Sequence, residues 1–169
     1  APVLPCLAIF GTSCPPMTAL FNLLPEAVGT IDADSKQAIL EQLANRFAQV
    51  YGLDPVLVLE RIEEREKLGS TGFGRGVAIP HARIPELARP VAAFFRLASP
   101  VSFDAADGMP VDMVFGLLSP EGAGAAHLHA LAAISRMMRD EQMHAALGEA
   151  PGAEAIYALL ANVIDRDAA

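Results

Sequence analysis

Tryptophan is absent from this chain of 169 residues, and cysteine is scarce. The two cysteines, Cys6 and Cys14, have nothing downstream to pair with. That excludes a disulfide framework and fits a reducing, cytoplasmic compartment. No apolar run approaches the ~18 residues needed to cross a bilayer, so the reading is a soluble protein and not a membrane protein. The apolar segment Pro2–Phe10 has no Lys or Arg before it, and Gly11 stands where a lipoprotein site wants an apolar residue, so no signal peptide is expected. Positive charge is also in short supply. Twelve basic residues face 20 acidic ones, and a net charge of −8 argues against nucleic acid as a partner. No internal repeat or low-complexity tract occurs.

The basic residues that do occur are clustered. Between Arg65 and Arg96 six basic residues (Arg65, Lys67, Arg75, Arg83, Arg89, Arg96) meet only Glu66 and Glu86, a local balance of +4. Such a segment either forms a solvated face or attracts a dianion. Within it, Gly76-Val77-Ala78-Ile79-Pro80-His81 is a short apolar strand that ends in Pro-His. The proline fixes its own φ and keeps Ile79 extended, so the imidazole is presented to a surface loop in a constrained place.

The elements can be read from periodicity and punctuation. Residues 1–16 read as an N-terminal extension outside the fold, with Met17 a natural start, and 166–169 as a tail; 17–165 reads as one domain. Residues 17–24 read as a short helix closed by Pro25, and Val28–Ile31 as a first strand. Asp34 and Gln37 suit a capping box for a helix that buries Ile39, Leu43, Phe47 and Val50 and ends at Gly52. Asp54-Pro55 starts a second helix with Val58, Leu59 and Ile62 inward and Gly69 as its stop. Strands are expected at 77–79, 91–98 and 111–118, with Asp107-Gly108 turning between the last two. Met113–Leu118 is apolar on both alternations, so that strand should be central. Helices are expected at 125–138, 140–147 and 152–165. Helices on both sides of the strands imply an α/β fold: a three-layer α/β/α sandwich around a mixed sheet of four to five strands.

Arg65 falls on the apolar stripe of its helix, where a guanidinium must find an anion. A structural ion pair with a carboxylate satisfies that need, and so would a phosphoryl group gripped by the planar fork. Ser70 and Thr71, in the glycine-rich loop to Gly76, either donate to a phosphate or cap local backbone. That loop has neither the spacing nor the following helix of a nucleotide-binding loop. His127 shares a helix face with Leu131, Ile134 and Met138 and turns inward, whereas His129 turns outward. Two histidines two apart on a helix diverge, so no metal site is expected. His129 and His144 read as surface residues.

Taken jointly, Arg65-Glu66-Lys67-Leu68-Gly69-Ser70-Thr71-Gly72, the run 76–81, Phe103-Asp104, Pro110-Val111-Asp112 and Ala126-His127-Leu128-His129 resemble the IIA domains of the bacterial phosphoenolpyruvate phosphotransferase system. The class is the fructose/mannitol and nitrogen-regulatory one, and the resemblance spans 17–165. The Leu-Gly-Ser-Thr-Gly loop and the His-Leu-His run match its nitrogen-regulatory branch, as does a chain without an attached permease. The Gly/Ala-rich stretch 119–124 departs from the pattern. The resemblance implies phosphorylation of His81 on its outer ring nitrogen, with His127 as second histidine and Arg65 beside the phosphoryl group. It implies a small histidine phosphocarrier protein as donor, regulated targets such as kinases or potassium-transport components, and no cofactor or metal. Its alternatives are a sugar-specific IIA component feeding a separate permease and an interaction module that has lost phosphotransfer.

Overall fold

The computed structural model describes residues 20–166. The expected 1–16 extension lies outside the described residues, as does the tail beyond Arg166. The element order is β1(Asn22–Ile31), α1(Lys36–Tyr51), α2(Pro55–Lys67), β2(Gly72–Gly74), β3(Val77–Ala78), β4(His81–Ile84), β5(Val91–Val101), β6(Val111–Pro120), α3(Ala125–Arg139), α4(Glu141–Glu149) and α5(Ala153–Arg166).

Six strands form one mixed sheet in the order β1-β5-β6-β3-β2, with β4 also on β6. β6 is antiparallel to β5 and parallel to β3 and β4, and it is buried along nearly its whole length. The central position expected of Met113–Leu118 follows. A Cβ on Gly116 would point at Leu43 and Phe47 of α1, whereas Met113 reaches Gly148 of α4. Residues three apart on a strand face opposite ways, so α1 and the C-terminal helices cover opposite faces. The α/β/α sandwich is therefore the fold, with one strand more than expected.

Helix boundaries follow local chemistry. Ser35, rather than Asp34, caps α1 by accepting from Ala38 N–H, and Gly52 closes it in the left-handed region at φ 70°. Asp54 caps α2, with Pro55 in its first turn.

The helix expected at 17–24 is a correction. From Asn22 onward the chain is strand β1, on the sheet's edge against β5. Pro25 sits where the β1–β5 register slips between Leu23 and Val28. An edge strand at a bulge is where a sheet tolerates a residue without an N–H. Tyr51 of α1 secures this edge. Its hydroxyl donates to Ala92 O at 2.7 Å and accepts from Leu24 N–H at 3.1 Å.

A second correction concerns His81. The strand from Val77 does not end at Pro80 in a loop. Val77 pairs with Met113 and His81 with Leu117 in one unbroken register along β6. β3 and β4 are one line of chain whose ladder lapses at Ile79-Pro80, because proline has no donor. Pro80 still accepts from Leu117 N–H at 3.0 Å.

Candidate functional site

Alternation along β4 buries Ala82 and Ile84 and turns His81 and Arg83 to the other face. Their partners on β6, Leu117 and Ser119, share that face. The first turn of α3 lies over it and supplies His127. This helix starts at Gly124, at φ 53°, without a side-chain cap. Arg65 reaches His81 from the last turn of α2. Three residues far apart in sequence thus meet at one place.

His81 Nδ1 lies 2.8 Å from Ile79 O. A carbonyl only accepts, so Nδ1 carries the proton and donates it. The outer nitrogen, Nε2, therefore keeps its lone pair. Arg65 Nε–H donates to that lone pair at 3.2 Å, which agrees with the same tautomer. Burial holds His81 below the usual histidine range; the Arg65 charge adds to this, and the Ile79 bond and Glu66 oppose it.

The ring centroids of His81 and His127 are 5.6 Å apart. His127 is buried and its Nδ1 lies 2.7 Å from Ser119 Oγ. Burial, then the charges of His81 and Arg83, push its pKa down to about 4. Both rings are neutral at pH 7, and the outer nitrogen of His81 is unprotonated, holding only the Arg65 hydrogen bond.

Among the described residues, Arg65 takes no carboxylate. Besides His81, its Nη1 donates to Gly69 O at 2.9 Å. The residue that does sit deep on that helix stripe is Glu66, which Lys36 Nζ meets at 2.9 Å. Glu66 accepts from Thr71 N–H at 3.2 Å and from the Thr71 hydroxyl. Thr71 O in turn accepts from Ile79 N–H at 3.0 Å. The buried carboxylate thereby sets the glycine-rich loop, the loop sets Ile79, and the Ile79 carbonyl sets the His81 ring. Sequence reasoning missed Glu66. Its signal was the helical period, since it lies four positions past Ile62 and eight past Val58.

The hydroxyl protons of Ser70 and Thr71 are both engaged within the chain. Ser70 donates to Phe103 O at 2.6 Å and accepts from Gly72 N–H at 3.1 Å. Ser70 thus caps the local backbone at Gly72, whereas the Thr71 hydroxyl goes to the buried Glu66 carboxylate. His129 is exposed, as expected. His144 is not a free surface residue. It is half-buried, with Nε2 3.1 Å from Asp112 Oδ1, and ties α4 to the start of β6. Among the described residues, no three His, Cys, Asp or Glu side chains converge as a metal site. Among the same residues, no helix is long and apolar enough to cross a membrane.

Fold and site together define a mixed α/β domain that presents a neutral, oriented imidazole between an arginine and a second imidazole. The family model described as "Phosphoenolpyruvate-dependent sugar phosphotransferase system, EIIA 2" matches residues 23–163, and the chain belongs to that family. A "Nitrogen regulatory protein" of Bradyrhizobium diazoefficiens is 45% identical over 147 residues, covering 86% of this chain and 95% of the relative. One from Pseudomonas aeruginosa is 43% identical over 134 residues, 79% of this chain and 87% of the relative. The crystal structure of nitrogen regulatory protein IIA-Ntr from Neisseria meningitidis superposes with a TM-score of 0.75 at 36% identity, covering 82% of this chain and 95% of that one.

Proposed function

We propose that this protein is a regulatory phosphocarrier of the nitrogen branch, charged on His81 by a small histidine phosphocarrier protein. The observation that carries the reading is the His81 tautomer, with Nδ1–H tied to Ile79 O and the Nε2 lone pair facing Arg65. In the step, Nε2 attacks phosphorus in line with the donor's P–N bond. A new P–N bond forms as the old one breaks, and the donor imidazole leaves with the electron pair. The transition state is loose, so the protein contributes position and charge rather than covalent chemistry. Arg65 turns its fork from Nε2 to the phosphoryl oxygens, and His127 donates an N–H to them. The Glu66–Thr71–Ile79 relay keeps the attacking ring fixed.

Likeness to the nitrogen regulatory proteins supports a signalling role. Phosphorylation would alter binding to targets such as kinases or potassium-transport components in the cytoplasm. Incubation with general and nitrogen-branch phosphocarriers in parallel tests the reading. The expected product is an acid-labile, base-stable adduct, formed faster with the nitrogen-branch carrier and absent in His81→Ala. No adduct with either carrier, or one that persists in His81→Ala, overturns it. Efficient onward transfer to a sugar-permease component would instead assign the chain to the sugar-specific IIA role.

A further inference from the structure

Ser119 has no part in the reading above, and its surroundings give it one. It lies on β6 as the strand partner of Arg83, facing the side that α3 covers. The residue is fully buried, and its hydroxyl is 2.7 Å from His127 Nδ1. Among the described residues no other hydrogen-bond partner of that hydroxyl is seen. A hydroxyl always carries a proton, whereas its lone pairs can stay unfilled at less cost. A buried proton without an acceptor forfeits a hydrogen bond it had in water. The proton therefore goes to the one acceptor in reach, and Nδ1 of His127 must be that acceptor.

His127 is neutral, with its pKa at about 4, so it holds one ring proton. With Nδ1 accepting, that proton resides on Nε2, on the ring edge turned away from Ser119. The helix N-terminus works in the same direction, since its positive end disfavours an imidazolium. We propose that Ser119 is a positioning residue that locks His127 as the Nε2–H tautomer and thereby makes it an N–H donor toward a phosphoryl group on His81. This deepens the phosphocarrier reading and rests on it for the step served, but the tautomer itself does not depend on it. The Gly/Ala-rich departure at 119–124 thus begins with a residue that acts on the site.

Long-range proton–nitrogen correlation spectra of the unphosphorylated full chain read the tautomer directly. In wild type, His127 should show a pyridine-type Nδ1 and a pyrrole-type Nε2. One neutral hydrogen bond biases a tautomer by about fivefold. Ser119→Ala should therefore give mixed signatures, and phosphoryl transfer from the carrier should slow by roughly three- to tenfold. Ser119→Thr, which keeps the hydroxyl, should restore both. A proton on Nδ1 in wild type overturns the proposal. So does Ser119→Ala with an unchanged Nε2–H signature and rate, and a tautomer change without a rate change removes Ser119 from the transfer step. Because the spectra need no phosphocarrier, a chain that takes no phosphoryl group would refute the function without deciding the tautomer.

Discussion

Burial is the main penalty on protonating either imidazole, and for His127 the His81 ring, with its centroid 5.6 Å away, adds to it. In an unfolded chain these histidines would titrate near the ordinary value of about 6.5. In the folded chain His127 titrates at about 4, and His81 is shifted the same way. Between those limits the unfolded state binds more protons, so stability falls as pH drops. His127 alone contributes on the order of 3 kcal/mol to that loss by pH 4. Urea midpoints of wild type should fall between pH 7 and pH 4.5 more steeply than those of His127→Gln. Equal slopes would mean that His127 titrates normally in the folded chain. The same shift keeps His81 nucleophilic in mild acid, so the acid limb of phosphoryl acceptance should lie below pH 6.5. The Arg65 stripe position was legible in the helical period, but its place beside His81 came only from the family resemblance. Helical period says that a side chain faces inward; only the fold says which atom waits there.

Gly116 shows how tightly the elements fit. It occupies the middle of β6, where an added Cβ would come within 2.9 Å of Leu43 Cδ1 and 3.0 Å of Phe47 Cε2. Both side chains are fully buried, so neither can swing aside. Gly116→Ala should therefore push α1 off the sheet and cost about 1–3 kcal/mol, read as a lower urea midpoint with an unchanged m-value. An unaffected midpoint would show that α1 rides loosely on β6. The helices were legible because each carries its own punctuation, such as Asp54-Pro55 and Gly52. The strands β2 and β4 were not, since three or four residues give no period to count. Pro80 hid the continuity of β3 with β4, because its missing N–H breaks the ladder without turning the chain. At 17–24 the sequence alone makes Pro25 a helix stop. In the sheet it marks an edge bulge instead, a distinction that requires knowing which strand lies beside it.

At the scale of the whole molecule, exposed basic and apolar side chains adjoin the site residues along the chain. The chain carries −8, yet the exposed Arg83 stands two residues past His81 on the same strand face. Leu68 is 84% exposed just past the turn of α2 that holds Arg65, and Leu128 is 62% exposed next to His127. Isolated exposed leucines need no explanation, but two that adjoin Arg65 and His127 in the chain make a testable docking point for a phosphorylated partner. A partner presenting a phosphohistidine would bury both leucines while its phosphoryl group enters the basic centre. Each leucine removed from water contributes about 1–2 kcal/mol to such a contact. The double variant Leu68→Ser, Leu128→Ser should then raise KM for the phosphocarrier roughly tenfold or more, with little change in kcat. Charging by phosphoramidate, a small donor that needs no docking, should be unaffected. A parallel loss with phosphoramidate would place the leucines in the reaction itself, and no loss with either donor would remove this face from recognition. Replacing Arg83 with alanine should flatten the salt dependence of the on-rate, because an exposed cation steers a partner over about a Debye length of 8–10 Å. On the proposed function the work divides: the two leucines and Arg83 would select the donor, while the buried Glu66, Ser119 and Ile79 contacts would hold the rings for transfer.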